Sequence, residues 1–367
     1  MFDLMQQVRL CDLHFKHDPH TGLKAIIAIH STKHGPALGG CRFIEYPNTD
    51  QAVKDAALLA KGMSYKAALA DIPQGGGKAV IMKPKNLKDR RALFEAFGDF
   101  IEELGGRYLT AVDSGTTSDD MDIIAGRTRF VTSTTLSGNP SPYTAQGVVA
   151  GIKSAVKHRL QRTDMQDIHV AIQGLGSVGQ SVAEHLAKAG ARLSVTDIDA
   201  EKVEAVCDQF KATPIAPEDF FSLDCDVLTP CALGNVVNAS TISQFNCKVI
   251  AGSANNQLSD ERWGHALHER NILYAPDFAI NAGGLIFASM HHRHMDDSAI
   301  AKQVDHIGVT LSDIFTQSEH SQQATNVIAN KLAEAKLYIR GNQASPHSQH
   351  QWPQEKGHAV SNPHAVH

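Results

Sequence analysis

Three ionisable side chains in the first third of the chain are of the types that amine and carbonyl chemistry needs. Lys66 follows an apolar helical face, Lys78 closes the run Gly75-Gly76-Gly77-Lys78, and Asp113 stands between the apolar run YLTAV and SGTTSDDMD. The GGGK run is not a Walker phosphate loop, because G-x-x-x-x-G-K-[ST] is absent and Lys78 is followed by Ala79. Taken singly, each lysine is explained as a solvated surface charge and Asp113 as a turn or cap residue. Together they supply a cation for a carboxylate, a second lysine whose pKa a nearby cation and partial burial would lower, and an acidic proton shuttle. Such a set suits oxidative removal of an amine. Once hydride leaves Cα, water must add to an imine; a neutral lysine can take water's proton, and an aspartate can carry protons to and from nitrogen.

A second constellation, Gly174-Leu175-Gly176-Ser177-Val178-Gly179, has the spacing of a dinucleotide-binding turn. The string alone is weak evidence, since ordinary turns produce it too. Its context is stronger: the apolar run IHVAIQ precedes it, a helical pattern with Val182, Leu186 and Ala187 follows, and Asp197 comes 18 residues after the last glycine, where the next strand ends. Glycines let the backbone approach a pyrophosphate whose charge faces a helix N-terminus. A carboxylate at Asp197 accepts hydrogen bonds from both ribose hydroxyls of NAD and repels the extra phosphate of NADP, so NAD is the expected cofactor.

The elements that must position these groups read as an α/β protein. An alternating apolar run at 23–30, a helix over 50–70 with Asn48, Thr49 or Asp50 as cap, an apolar stretch at 79–82 and a helix over 89–104 make up a first unit. The Gly-, Pro- and Ser-rich segment GNPSPYTAQGV marks a boundary. Beyond it, strands near 168–173, 192–196, 227–228 and 249–250 alternate with helices, as in a parallel sheet with crossovers. The expected organisation is an N-terminal α/β substrate domain over 1–142 and a Rossmann-type NAD-binding domain over 143–324, with a cleft between them. A helix near 325–341 should return to the first domain, and 342–367, polar and rich in His, Gln, Ser and Pro, should be a disordered tail.

Composition narrows the function classes. The 367 residues are 42% hydrophobic and 20% charged, ordinary for a globular protein of about two domains. A net charge of −5 offers no basic field for nucleic acid. The longest aliphatic run, 25–29, is far short of the roughly 20 residues of a membrane helix, and the first residues lack a basic stretch before an apolar one; a cytoplasmic location is expected. The six cysteines form no C-x-x-C pair, and the densest histidines, His291, His292 and His294, fit no zinc spacing, so no metal is expected and a solvated loop or helix end is the plainer explanation.

The motifs GPALGGCR (35–42), LAKGMSYKAALADIPQGGGKAV (59–80), RYLTAVDSGTTSDDMDII (107–124), GLGSVG (174–179), PCALGNVVN (230–238), IAGSANNQL (250–258) and YAPDFAINAGGLI (274–286) occur in this order. By them the chain resembles the leucine, phenylalanine, valine and glutamate dehydrogenases, the leucine branch above all, from about residue 9 to 340. The resemblance implies that Lys66, with the backbone around Gly39 and Gly40, binds the substrate α-carboxylate, that Lys78 activates water, and that Asp113 is the general acid and base. It also implies Thr144 and Asn255 near the nicotinamide, and a homo-oligomer acting on a small-molecule substrate.

In glutamate-specific relatives a lysine stands at the position of Leu38 and a serine at that of Ala288; both anchors are absent here. A side-chain carboxylate would enter unpaired, at a cost of several kcal/mol. Walls of Leu38, Ala111, Leu285 and Ala288 imply an aliphatic or aromatic side chain. Leucine and other branched-chain amino acids are the expected substrates. A phenylalanine-type specificity, or a non-catalytic NAD-binding regulator, is the alternative.

Overall fold

The computed structural model describes residues 1–338; the expected tail and the last residues of the returning helix lie outside them. Helix α1 (Phe2–Val8) leads into strands β1 (Asp12–Asp18), β2 (Leu23–Ser31) and β3 (Ala37–Ile44), followed by α2 (Thr49–Leu69), β4 (Gly75–Met82), α3 (Arg90–Glu103), β5 (Tyr108–Val112) and α4 (Ser118–Ala125). The five strands form one mixed sheet in the order β1-β2-β4-β3-β5, with β3 parallel to both β4 and β5.

Helices cover both faces of this sheet. Asn48 caps α2 by accepting the Gln51 N–H at 2.9 Å, and Ala52, Val53, Ala56, Ala57 and Ala60 pack on Ile26, Ala28 and Val80. Asp89 caps α3, whose Leu93, Phe94, Phe97, Phe100 and Ile101 join the cluster holding Ile27, Ile29 and Ile81. The run at 23–30 is therefore buried at every position except Lys24, rather than half-solvated. Gly75, Gly76 and Gly77, expected ahead of a strand, are its first three residues.

The second domain opens with α5 (Ser141–Leu160) and continues through β6 (His169–Gln173), α6 (Ser177–Lys188), β7 (Arg192–Thr196), α7 (Ala200–Phe210), β8 (Thr213–Pro214), β9 (Val227–Pro230), β10 (Val249–Ile250), α8 (Arg262–Glu269) and β11 (Leu273–Tyr274). The six strands are parallel in the order β8-β7-β6-β9-β10-β11. Numbered within the domain this is 3-2-1-4-5-6, the doubly wound order whose crevice lies at the C-terminal ends of β6 and β9.

Four helices complete the chain: α9 (Asp277–Ile280), α10 (Gly283–His292), α11 (Asp297–Ser321) and α12 (Thr325–Tyr338). Gln303 of α11 donates to the Ala70 carbonyl at 2.7 Å, just beyond the end of α2. From α12, Glu334 accepts the Tyr65 hydroxyl at 2.5 Å and Lys336 pairs with Asp71 at 2.6 Å, so the last helix lies along α2. Among the described residues, no helix is long and apolar enough to cross a membrane.

Candidate active site

The site begins with a close approach of helix to strand. A Cβ on Gly76 would lie 2.0 Å from the Ser64 backbone nitrogen, so only glycine lets the last turns of α2 settle on β4. That approach brings Lys66, near the end of α2, toward Lys78, which is 4% exposed in the middle of β4. Asp113 is the first residue after β5, in a turn held by Thr116, whose hydroxyl accepts the Asp113 N–H at 2.9 Å. Lys78 Nζ lies 2.8 Å from Asp113 Oδ1. Gly40, opposite Ala111 in the β3–β5 ladder, leaves room for the aspartate, since a Cβ there would sit 2.7 Å from Asp113 Cβ. Gly39 likewise has the Gly77 carbonyl where its own Cβ would be.

Two residues outside the expected set complete this cluster. Arg42 Nε donates to Asp113 Oδ2 at 3.0 Å. Burial alone would raise the Asp113 carboxyl, but Lys78 and then Arg42 overcome it and hold the pKa below its usual value. Asn281, just after α9, accepts from Lys66 Nζ at 2.7 Å and donates to Asn255 Oδ1 at 2.7 Å. A chain of side chains thus crosses between the domains. Arg42 and Asn281 lie inside motifs legible in the sequence, GPALGGCR and AINAGG, but nothing in their spacing marked them out.

The pKa of Lys66 is depressed. Burial is the largest cause and the Lys78 charge adds to it; Asp277 and Asp113 pull the other way, and the outcome is about 8. Lys78 makes an ion pair with Asp113. Asp277, also unforeseen, is a half-buried carboxylate that accepts the Gln257 and Phe278 N–H groups, and desolvation raises its pKa.

The four expected wall residues come from both domains. Leu38 is paired with Gly76 in the β3–β4 ladder, two positions after Gln74. On α10, Ser289 follows Ala288 and donates its hydroxyl to Gln74 Oε1. Leu38, Leu285 and Ala288 are buried, and Ala111 is half-buried. His291 and His292 end α10 and are half-buried, while His294 is exposed.

The dinucleotide motif forms the turn between β6 and α6. Gly174 has φ +92°, and a Cβ on Gly179 would lie 1.9 Å from the Gly174 carbonyl, so both glycines are demanded by the protein's own packing. Gly176, the residue before α6, is different: a Cβ there would meet nothing within 4 Å. It opens the helix start, where Ser177 and Val178 begin the first turn without a side-chain cap, to an outside group. Asp197 follows β7, its carboxylate accepting the Leu175 N–H at 2.5 Å and the Asp199 N–H at 2.9 Å, which ties it to the glycine turn. Ile198 beside it is fully exposed and Leu233, beyond β9, is 82% exposed. Two bare apolar side chains bordering the crevice suit a planar base, so the residues present fit a dinucleotide. Thr144, on α5, packs against Gly283 and Gly284, just after Asn281, so the segment 281–284 meets both Thr144 and Asn255.

Residues 6–130 match the family model described as "Glu/Leu/Phe/Val dehydrogenase, dimerisation domain", and residues 194–339 match "Glutamate/Leucine/Phenylalanine/Valine dehydrogenase". A leucine dehydrogenase of Bacillus cereus is 43% identical over 341 residues, covering 92% of this chain and 93% of that protein.

The chain belongs to the Glu/Leu/Phe/Val dehydrogenase family.

Other members of the family are similarly near. An L-tryptophan dehydrogenase of Nostoc punctiforme is 42% identical over 340 residues, covering 92% of this chain and 96% of that protein. A crystal structure of L-tryptophan dehydrogenase from the same organism superposes with a TM-score of 0.85 at 40% identity, over 92% of this chain and 98% of that one. A phenylalanine dehydrogenase of Caldalkalibacillus thermarum is 40% identical over 345 residues, covering 91% of this chain and 92% of that protein. Family membership brings with it a nicotinamide dinucleotide as redox partner and a small-molecule substrate. With relatives of three substrate names at such similar identities, side-chain preference has to be argued from the pocket.

Proposed function

We propose that the protein is an NAD-dependent L-amino acid dehydrogenase that converts leucine and other branched-chain amino acids, reversibly, to 2-oxo acids and ammonium. The observation that carries the reading is the Lys78–Asp113 contact at 2.8 Å, close enough to Lys66 for the two charges to act on its pKa. Lys66 binds the α-carboxylate and in doing so exchanges Asn281 for substrate. Lys78 takes a proton from the water that adds to the imine, and Asp113 carries protons to and from the nitrogen; their direct contact lets one proton pass between the two roles. The dinucleotide, held at Gly174, Gly176, Ser177, Val178 and Gly179, with Thr144 and Asn255 toward its nicotinamide, supplies the hydride acceptor. Asp197 favours NAD over NADP by its charge.

An apolar pocket of Leu38, Ala111, Leu285 and Ala288 disfavours a side-chain carboxylate and accepts an aliphatic one. A second reading, an aromatic substrate, draws on the small side chain of Ala288 and on the tryptophan- and phenylalanine-named relatives. We propose a homo-oligomer as the working form, consistent with the family model's description of residues 6–130 as a dimerisation domain. The test is NADH formation with leucine, isoleucine, valine, phenylalanine, tryptophan and glutamate, each with NAD and with NADP. The highest kcat/KM for a branched-chain substrate with NAD supports the first reading and an aromatic optimum the second. No turnover with any amino acid would overturn both.

A further inference from the structure

Arg42 has no part in the chemistry derived so far, yet its guanidinium joins two carboxylates. Nε donates to Asp113 Oδ2 at 3.0 Å and Nη1 to Asp55 Oδ2 at 2.9 Å, and the Tyr46 hydroxyl donates to the same Asp55 oxygen. Asp55 belongs to α2, so the arginine is braced from the helix that also carries Lys66. Asp113 is therefore held at both oxygens by different kinds of partner. At Oδ1 stands Lys78, a single ammonium on a flexible stem; at Oδ2 stands a planar guanidinium fixed at its other end.

The distinction matters during turnover. The charged and titratable groups facing Asp113 are Lys78 from β4, Arg42 and the Cys41 thiol from β3, Lys66 from α2 and Tyr108 from β5. Burial pushes Cys41 and Tyr108 up, so both stay protonated and uncharged at neutral pH. Of the three cations, Lys66 engages the substrate and Lys78 gives up and regains its proton. Of the two cations in direct contact with Asp113, Arg42 therefore keeps its charge throughout.

We propose that Arg42, anchored by Asp55, is a positioning residue for Asp113, occupying Oδ2 through the whole cycle so that Oδ1 alone turns toward Lys78 and the substrate nitrogen. This rests on the dehydrogenase reading above. The arginine also keeps Asp113 a carboxylate at the stage when Lys78 is neutral, so the aspartate can accept a proton at that point.

The experiment uses the full chain and the variants Arg42→Gln, Arg42→Lys and Asp55→Asn. One readout is the pH profile of kcat and kcat/KM in oxidative deamination. The other, which needs no turnover, is a carboxyl infrared titration of each protein minus its Asp113→Asn counterpart. In Arg42→Gln, Asp113 should titrate about one pH unit higher and the acid limb of kcat/KM should follow it. Its kcat at pH 7 should fall about tenfold or more, while NADH binding changes by less than about twofold. Arg42→Lys should restore the titration but not kcat, because an ammonium cannot span Asp55 and Asp113 in one plane. Asp55→Asn should move both readouts the same way by less, and it carries the test if Arg42→Gln does not fold. An unchanged Asp113 titration, or an acid limb left in place with equal loss at every pH, overturns the proposal. Absence of turnover in the wild type would overturn the dehydrogenase reading and this one together, whereas absence of the infrared shift alone would overturn only this one.

Discussion

Lys66 ties carboxylate binding to pH. Its pKa of about 8 means that a ligand requiring the ammonium form competes with deprotonation in the working range of pH. For a simple carboxylate the apparent dissociation constant scales as one plus the ratio of Ka to proton concentration. With pKa 8, that factor is about 1.1 at pH 7, about 2 at pH 8 and about 11 at pH 9, the last being about 1.4 kcal/mol of lost binding. An amino acid would confuse the test, because its own amine titrates above pH 9. The probe is therefore 4-methylpentanoate, a branched carboxylate without an amine, measured as a competitive inhibitor with NAD saturating between pH 6.5 and 9.5. Its inhibition constant should be level at low pH and rise about tenfold per unit above pH 8. Asp277 raises the Lys66 pKa across space, so Asp277→Asn should start the rise at lower pH. Lys66→Met should weaken inhibition and remove the pH dependence. A constant that stays level to pH 9.5, or a limb that survives Lys66→Met, would refute the assignment of Lys66 to the carboxylate.

Two further outcomes are expected. Lys78→Ala should abolish turnover and leave NADH binding, followed by fluorescence, nearly intact; a residual rate above about one hundredth of wild type would remove Lys78 from the role of base. Asp197→Ser combined with Ile198→Arg should raise the ratio of kcat/KM with NADP to that with NAD, and an unmoved ratio would take Asp197 away from the ribose. Because Asp197 also accepts the Leu175 N–H, the double variant should melt at a somewhat lower temperature, by about 1 kcal/mol of lost hydrogen bonding.

Much of the architecture could be read from local patterns. The α2 and α3 stripes, the α2 cap among Asn48, Thr49 and Asp50, and the strand, glycine turn, helix and acidic residue of the dinucleotide motif are all short-range signals. Less legible were β1 and β3, whose neighbours in the sheet are set by pairing with distant segments, and the two-residue strands β8 and β11, too short to carry a period. The glycines of β4 read as a lead-in ahead of a strand rather than part of it, because glycine is a poor strand former. What they accommodate, the Ser64 backbone and Tyr108 ring that lie against them, comes from elsewhere in the chain.

The sequence by itself determined which chemical groups are available and what each can do: two lysines, an aspartate, a glycine turn and an acidic residue placed for a ribose, on two α/β units. Only the tertiary structure decided how those groups modify one another. Lys66 has a lowered pKa because α2 packs it into the cleft beside Lys78, and Asp113 stays charged despite burial because Lys78 and then Arg42 reach it from other strands. Periodicity and motif spacing follow from bonds between near neighbours along the chain. Electrostatic coupling follows from distances and burial between residues tens to hundreds of positions apart, which exist only once the chain has folded.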